Sequence, residues 1–390
     1  MNPVSIKFSD ALLVRVWIWG CKDRGKVAAR LLKKFNGHIV GFVDNDESAH
    51  NSLIFSLKVY SPEELYEKIE INDRILLCCD AKYHQSICAQ LFDNGIDKNV
   101  CCLDYSSFDL IQKNWGDFIE TEEEPRIISK CCTENDFNQN WFVKIKEKLG
   151  WKENRLHRKI WEFVYISKVL EDNRMLIPGK RGLGFAVGTE PLPSFFASLG
   201  VDVLATDLEL SKGAAELWAN SGQNAGGDIN KLWRPNILSK EEFDRHVIYK
   251  DLDMNEIPGD IGQFDFCWSS CAIEHVGSLE LSKRFLKNMI NVIKPGGIAV
   301  HTTEFNLWSN EDTIEDGFSV IYRRKDFEEL KEWYVKHDCS LELSFKRGAG
   351  SSEMFLPLPP YEENDTRDHL NLIIGQYAST SYALIIKKLA

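Results

Sequence analysis

The chain lacks any uncharged apolar run near the length of about 18 residues that a membrane-spanning helix needs, so membrane insertion is not expected. Its opening residues, Met1 to Asp10, lack the long apolar region of a signal peptide, which leads to the expectation of a soluble, cytoplasmic protein. Basic residues are in deficit. Against 59 Asp and Glu stand 47 Lys and Arg, a formal net charge of −12 with a pI near 5.4. Affinity for nucleic acid rests on clustered cations that neutralise phosphates, and this balance argues against such a partner, leaving room only for a small local basic patch. No Cys-x-x-Cys pair occurs among the 11 cysteines. The adjacent pairs Cys78-Cys79, Cys101-Cys102 and Cys131-Cys132, several of them in apolar runs, therefore read as buried free thiols rather than as metal or disulfide chemistry.

What remains is α/β patterning. At 390 residues the chain exceeds one typical core, so two domains are expected. An apolar strand, Leu183 to Gly188, runs into a turn and the helix Pro193 to Gly200, and a second strand, Val201 to Thr206, ends at Asp207. A glycine turn followed about 20 residues later by a carboxylate at the next strand tip lets backbone approach a nucleoside while the acid accepts its ribose hydroxyls. Further strands are expected at His246 to Lys250, leading to Asp251-Leu252-Asp253, and at Phe264 to Ser270, leading to Glu274-His275. A helix from about Leu281 to Ile293 stops at Lys294-Pro295-Gly296-Gly297, which launches a fifth strand, Ile298 to Glu304.

The run from about 180 to 390 resembles the class I S-adenosylmethionine-dependent methyltransferases, with "FDFCWSSCAIEHV" and "LKNMINVIKPGGIAVHTTE" as the matching segments. The resemblance implies an α/β fold of two doubly wound Rossmann-like sheets, the C-terminal one seven-stranded, closed by an antiparallel hairpin from a helix at Arg324 to His337 and strands at Ser340 to Phe345 and Thr380 to Lys387. It also implies S-adenosyl-L-methionine as cofactor, held by Gly188, Thr189, Glu190, Asp207 with Leu208, Asp251, Leu252, Ser269 and Ser270. One departure stands out. Where the family carries a Gly-x-Gly-x-Gly run after an acid, this chain reads "GFAVGTEPLP", with Ala186 taken to occupy the acid's place.

Residues Val14 to Asp104 repeat the α/β rhythm. "VWIWGCKDRGKVAARLL" with "VGFVDND" resembles the Rossmann-like domain at the front of some sugar acetyltransferases and in sugar C-methyltransferases. That resemblance implies a nucleotide-sugar ligand near Gly20, Gly25 and Asp44, bordered by Lys82, Tyr83 and His84. A degenerate unit used for packing or homo-oligomer formation is the other reading. The expected boundaries are 1–115 for this domain, 116–140 for an acidic, solvated linker around Glu120 to Glu124, and 141–390 for the methyltransferase domain. The latter opens with an amphipathic helical cover from Trp141 to Leu170 that includes Arg155, His157, Arg158 and Lys159.

Ligands of open α/β sheets lie outside the carboxyl ends of the strands, so the fourth and fifth strand tips should face the donor methyl. An imidazole, with an ordinary pKa near about 6.5, suits the removal of a hydroxyl proton. His275 or His301 is the expected base, oriented by Glu274 or Glu304. These four are also the set a divalent ion would use, but without a His-x-x-x-His spacing no metal is expected. Trp308, Tyr322, Arg323 and Arg324 are the candidate acceptor contacts, aromatics for a sugar face and arginines for phosphate. The expected activity is methylation of a sugar hydroxyl, on a nucleotide-sugar or a glycan. A small-molecule methyltransferase with a scaffolding front domain and a non-catalytic binding module are the alternatives.

Overall fold

The structure, a computed structural model, describes residues 8–96, 102–104, 120, 122–152, 155–211, 223–359, 361 and 366–390. Its contacts divide the chain into two compact units. The first is Met1–Trp115 with Met354–Asp365 and Leu372–Ala378, and the second is Gly116–Glu353 with Thr366–Asn371 and Ser379–Ala390.

In the first unit six strands lie in the order β3-β4-β2-β1-β5-β6. They are β1 (Arg15–Trp19), β2 (His38–Val43), β3 (Leu53–Ile54), β4 (Leu57–Tyr60), β5 (Arg74–Leu77) and β6 (Cys102–Asp104). All pairings are parallel except the β3/β4 hairpin, which the sequence reading did not foresee. Residues 100–101 of the expected last strand lie outside the described residues. Val16, Trp17, Ile18 and Trp19 are all buried, which is why β1 reads as an unbroken apolar run: a central parallel strand is covered on both faces. Two glycines then bring the helix Asp23–Lys34 hard against the strand tips. A Cβ at Gly25 would lie 1.9 Å from the Gly20 carbonyl oxygen, and one at Gly20 would lie 2.9 Å from that of Cys78.

The second unit is built on the order β10-β9-β8-β11-β12-β15-β13, with β7 (Lys130–Cys131) also paired to β15. Strands β8 (Arg181–Gly184), β9 (Asp202–Asp207), β10 (Val247–Asp251), β11 (Phe264–Ser270) and β12 (Ile293–Asn306) run parallel. β15 (Tyr377–Lys388) runs antiparallel to β12, from Ile298 opposite Lys387 to Asn306 opposite Ser379, and β13 (Cys339–Leu341) runs antiparallel to β15. This is the expected doubly wound sheet with its antiparallel closing hairpin. On one of its faces Phe196 meets Phe266 and Trp268 edge-on, and β11 is buried along almost its whole length.

The expected single helical cover is two helices, Asn140–Lys148 and Arg158–Asp172. Gly150, at φ 90°, turns the chain between them. Where the acidic linker is described, Glu120, Glu122 and Glu123 are exposed, but the segment that follows them is anchored. Glu124 is buried, Lys130 is paired into the sheet, and the Lys130 ammonium lies 2.8 Å from Asp136, whose other oxygen accepts from the Trp161 indole at 2.8 Å. Residues 116–119 and 121 of the linker lie outside the described residues. No helix among the described residues is long and apolar enough to cross a membrane.

Candidate active site

β8 stops at Gly184, four residues short of the expected strand end, and the loop that follows is clamped to both neighbours. Phe185 N–H donates to the Trp268 carbonyl at 2.9 Å and Val187 N–H to that of Thr206 at 3.0 Å. Ala186 (φ 47°) and Gly188 (φ 53°) both take the left-handed backbone that glycine favours. Ala186 thus adopts a conformation that glycine takes more readily, although it was read at the acid's place.

Asp207, at the tip of β9, lies beside this loop. Its Oδ2 accepts from the Gly188 amide at 3.1 Å and its Oδ1 from that of Leu208 at 2.8 Å, while its carbonyl accepts from Leu252 at 2.8 Å. Asp251 is its register partner on β10. Burial raises the Asp207 carboxyl to about 6, against the pull of the Leu208, Gly188 and Ala225 amides. A Cβ at Gly188 would lie 2.1 Å from the Gln223 carbonyl oxygen, so only glycine leaves room for the backbone that packs against this loop. A carboxylate held by backbone amides beside a left-handed glycine is an arrangement that fits a nucleoside ribose. Thr189 presents its carbonyl to the Arg234 guanidinium, and Glu190 is buried with the Trp268 indole N–H donating to it at 2.5 Å.

The tips of β11 and β12 carry a buried charged cluster. Arg158 Nη1 lies 2.7 Å from Glu304, 3.3 Å from Glu162 and 3.0 Å from the Ser381 hydroxyl. Glu162 further accepts from Ser270 at 2.9 Å and pairs with Lys159 at 3.3 Å. Glu304 accepts from the Ser379 hydroxyl at 2.8 Å. The sequence reading placed Arg158 and Lys159 in a helical cover and passed over Glu162. The available signal was a charged i, i+4 pair set into an otherwise apolar helix.

Glu274 is fully buried. Thr303 donates to its Oε2 at 3.2 Å, and its Oε1 has no hydrogen-bond partner. Burial raises this carboxyl, and His275 acts against that shift. His275 Nδ1 lies 2.7 Å from the Phe318 carbonyl oxygen, which can only accept, so the proton sits on Nδ1 and the neutral ring directs its lone pair through Nε2. That Nε2 is 3.8 Å from Glu274 Oε1.

His301 is placed differently. Wholly buried, it meets the Ser269 hydroxyl through Nδ1 at 2.7 Å and packs edge-on to Phe285, and burial pulls it down to about 3. Because this value is below the ordinary 6.5, the folded state favours the neutral ring. The resulting stability is complete above about pH 6.5 and is lost as pH falls toward 3. Urea unfolding at pH 7.5 and pH 4 should differ by roughly 3 kcal/mol from this group, a difference that His301→Gln removes.

Of the four expected acceptor contacts, Tyr322 and Arg323 are buried and bonded within the fold. Tyr322 is buried, bonded to the Ser282 hydroxyl and stacked on Phe327, and the Trp308 amide donates to Asn306 at 2.8 Å. Arg323 pairs with Asp326 at 2.8 Å, and Arg324 with Glu328 at 2.9 Å and Glu120 at 3.2 Å. Cys271, Glu274 and Glu304 bring donor atoms within 4.8 Å of one another, a grouping that includes neither expected histidine. Arg158 already supplies positive charge there, 3.7 Å from the Cys271 sulfur.

In the first unit a cavity of about 580 Å³ opens at the tips of β1, β2 and β5, lined by Gly20, Lys22, Asp44, Asn45 and Tyr83 among others. Asp44 accepts from the Cys21 amide at 2.9 Å and the Asp46 amide at 3.0 Å. Gly25 packs behind the Gly20 turn, and His84 is buried against the Cys79 carbonyl at 3.2 Å.

Residues 185–301 match the family model of a methyltransferase domain, and residues 12–101 match that of a C2185-like N-terminal domain. No curated protein matches the chain. Similar solved structures include YjhP from E. coli, 17% identical over 42% of this chain and 56% of that one, with a TM-score of 0.27, so the chain spans little more than half of that protein. An S-adenosylmethionine-dependent methyltransferase from Clostridium acetobutylicum is 15% identical over 64% of this chain and 99% of that one, with a TM-score of 0.32. Magnesium protoporphyrin IX methyltransferase from Synechocystis, with bound SAH, is 10% identical over 65% and 97%, with a TM-score of 0.35. Matched model and strand order together make the second unit a methyltransferase domain of the class I, S-adenosylmethionine-dependent architecture.

Proposed function

We propose that this protein methylates a hydroxyl of a sugar or glycan intermediate, with His275 as the base. The observation that carries the reading is the His275–Glu274 pair at the tip of β11, two strands from the Asp207 crevice. S-adenosylmethionine supplies an electrophilic methyl on a sulfonium. The protein has to align the acceptor hydroxyl with it and take the proton. Nε2 of His275 receives that proton as the acceptor oxygen bonds to the methyl carbon and the carbon–sulfur bond breaks, leaving a neutral thioether. Glu274, 3.8 Å away, stabilises the imidazolium that forms. Of the hydroxyl groups at these strand tips Ser270 is only partly buried and is the one able to meet an acceptor hydroxyl, its own proton going to Glu162 at 2.9 Å. Incubation with methyl-labelled donor and a panel of free sugars, nucleotide-sugars and polyols tests this. Label is expected in a sugar ether, and incorporation confined to non-sugar acceptors removes the sugar reading.

The cavity of the first unit favours a ligand-binding front domain over a mere scaffold. Amides at the start of the helix Asp23–Lys34 and the Lys22 side chain suit phosphates, and Asp44 suits a ribose. Thermal shift with UDP and ADP as probes is expected to raise the melting temperature of the full chain, and Asp44→Asn to weaken binding by about 10-fold. No shift with either probe favours the scaffold.

A further inference from the structure

We propose that Glu190 is the counter-charge by which the donor crevice distinguishes a sulfonium donor from its neutral thioether product. The proposal rests on the reading that S-adenosylmethionine occupies the crevice beside Asp207 and Gly188. Glu190 sits two residues after Gly188, in a turn closed by its own amide on the Val187 carbonyl at 3.1 Å.

That acid is 8% exposed, which denies it the solvation an ordinary surface glutamate enjoys. The groups around it come from every neighbouring element: the Trp268 indole from β11, Asp207 from β9, Lys159 and Glu162 from the helix Arg158–Asp172, and Arg234 from the segment after residue 223. None of the described ion pairs includes Glu190. Lys159 pairs with Glu162, and Arg234 donates to the carbonyls of Thr189, Lys231 and Trp233. The one strong contact is with a neutral indole. Burial accordingly raises the carboxyl to about 8, with the nearby acids Asp207 and Glu162 adding to it and Lys159 opposing.

A buried carboxyl without a cation stays protonated near neutral pH and ionises when a cation arrives. S-adenosylmethionine and S-adenosylhomocysteine share the adenosyl group, the ammonium and the carboxylate, and differ by one methyl and one positive charge. A side chain that senses this difference retains the donor and favours release of the product.

Calorimetry on the full chain, with both molecules at pH 7 in two buffers of different ionisation enthalpy, tests the proposal. The wild-type protein is expected to bind S-adenosylmethionine about 10-fold tighter than S-adenosylhomocysteine, and to release more protons with the former. Glu190→Gln should weaken the donor by about 10-fold, leave the product within about twofold, and abolish the extra proton release. Glu190→Asp, which keeps the charge, should keep the preference. Equal wild-type affinities, or equal weakening of both molecules in Glu190→Gln, overturn the proposal and leave the donor site standing. Binding of neither molecule by the wild-type protein overturns the donor site itself, and this proposal with it.

Discussion

Replacing His275 with Asn is expected to lower kcat by roughly 10²- to 10⁴-fold, the range that a positioned proton acceptor contributes. Donor affinity should hardly change, because the carboxylate and amides around Asp207 are untouched. The asparagine keeps a donor for the Phe318 carbonyl but has no basic nitrogen, so a structural role alone would leave kcat near wild type. Glu274→Gln should give a smaller loss, since it removes the charge facing the imidazolium and leaves the ring in place. His301→Asn should leave kcat within a few-fold, as that ring is enclosed between Ser269 and Phe285. Single-turnover rates with a responsive acceptor separate the three variants. A fully active His275→Asn enzyme would transfer the base role to another group.

The second large effect concerns stability. Arg158→Met leaves Glu162 and Glu304 buried without the guanidinium that lies 3.3 Å and 2.7 Å from them. Breaking one side of such a pair costs about 3–5 kcal/mol, because the remaining charge is desolvated and uncompensated. The midpoint of thermal unfolding should fall by roughly 6–20 °C. The deficit should also depend on pH. Burial alone would raise the Glu162 carboxyl, but Lys159 and Arg158 hold it down at about 2. A folded-state value below the ordinary 4.5 means that its stabilisation is present above about pH 4.5 and is lost as pH falls toward 2. Without Arg158 the Glu162 carboxyl protonates more readily, so the gap between variant and wild type should narrow from pH 7.5 to pH 4. Chemical denaturation at both values measures it, and a constant gap would mean that packing, not charge, sets the loss.

Periodicity and turn chemistry made the sheets legible before any coordinates. The buried run of β11 and the Gly188 to Asp207 interval each have a local cause, so β9 and β11 could be placed closely. Pro295-Gly296-Gly297, read as the stop before a strand at Ile298, lies instead inside β12, which starts at Ile293, and β3, β4, β7 and β14 (Asn371–Ile374) were not foreseen. The Asp207–Gly188 contact belongs to the same class, because one β-α-β unit brings both together. What stayed hidden depends on partners far apart in sequence. Glu162 matters because Ser270, Thr302 and Ser381 converge on it, and nothing near residue 162 reports that. Tyr322 and Arg323 read as candidate acceptor contacts, yet Ser282 and Asp326 claim them. His275 and His301 looked equivalent at two strand tips. The direction of each ring decides between them, and a Phe318 carbonyl 43 residues away sets one of those directions.

The strand β15 also governs how this unit comes to be folded. Tyr382 donates to the Ser129 carbonyl across 253 residues, and the Ser381 hydroxyl reaches Glu162 across 219. A nascent chain must therefore carry Arg158, Glu162 and Lys130 through most of its translation before their final surroundings exist. Contacts of such separation slow folding, and the interval leaves incompletely assembled sheet edges open to wrong pairing. Slow, chaperone-sensitive maturation follows from that topology, and a circular permutant that places β15 ahead of residue 129 should reach the native state sooner.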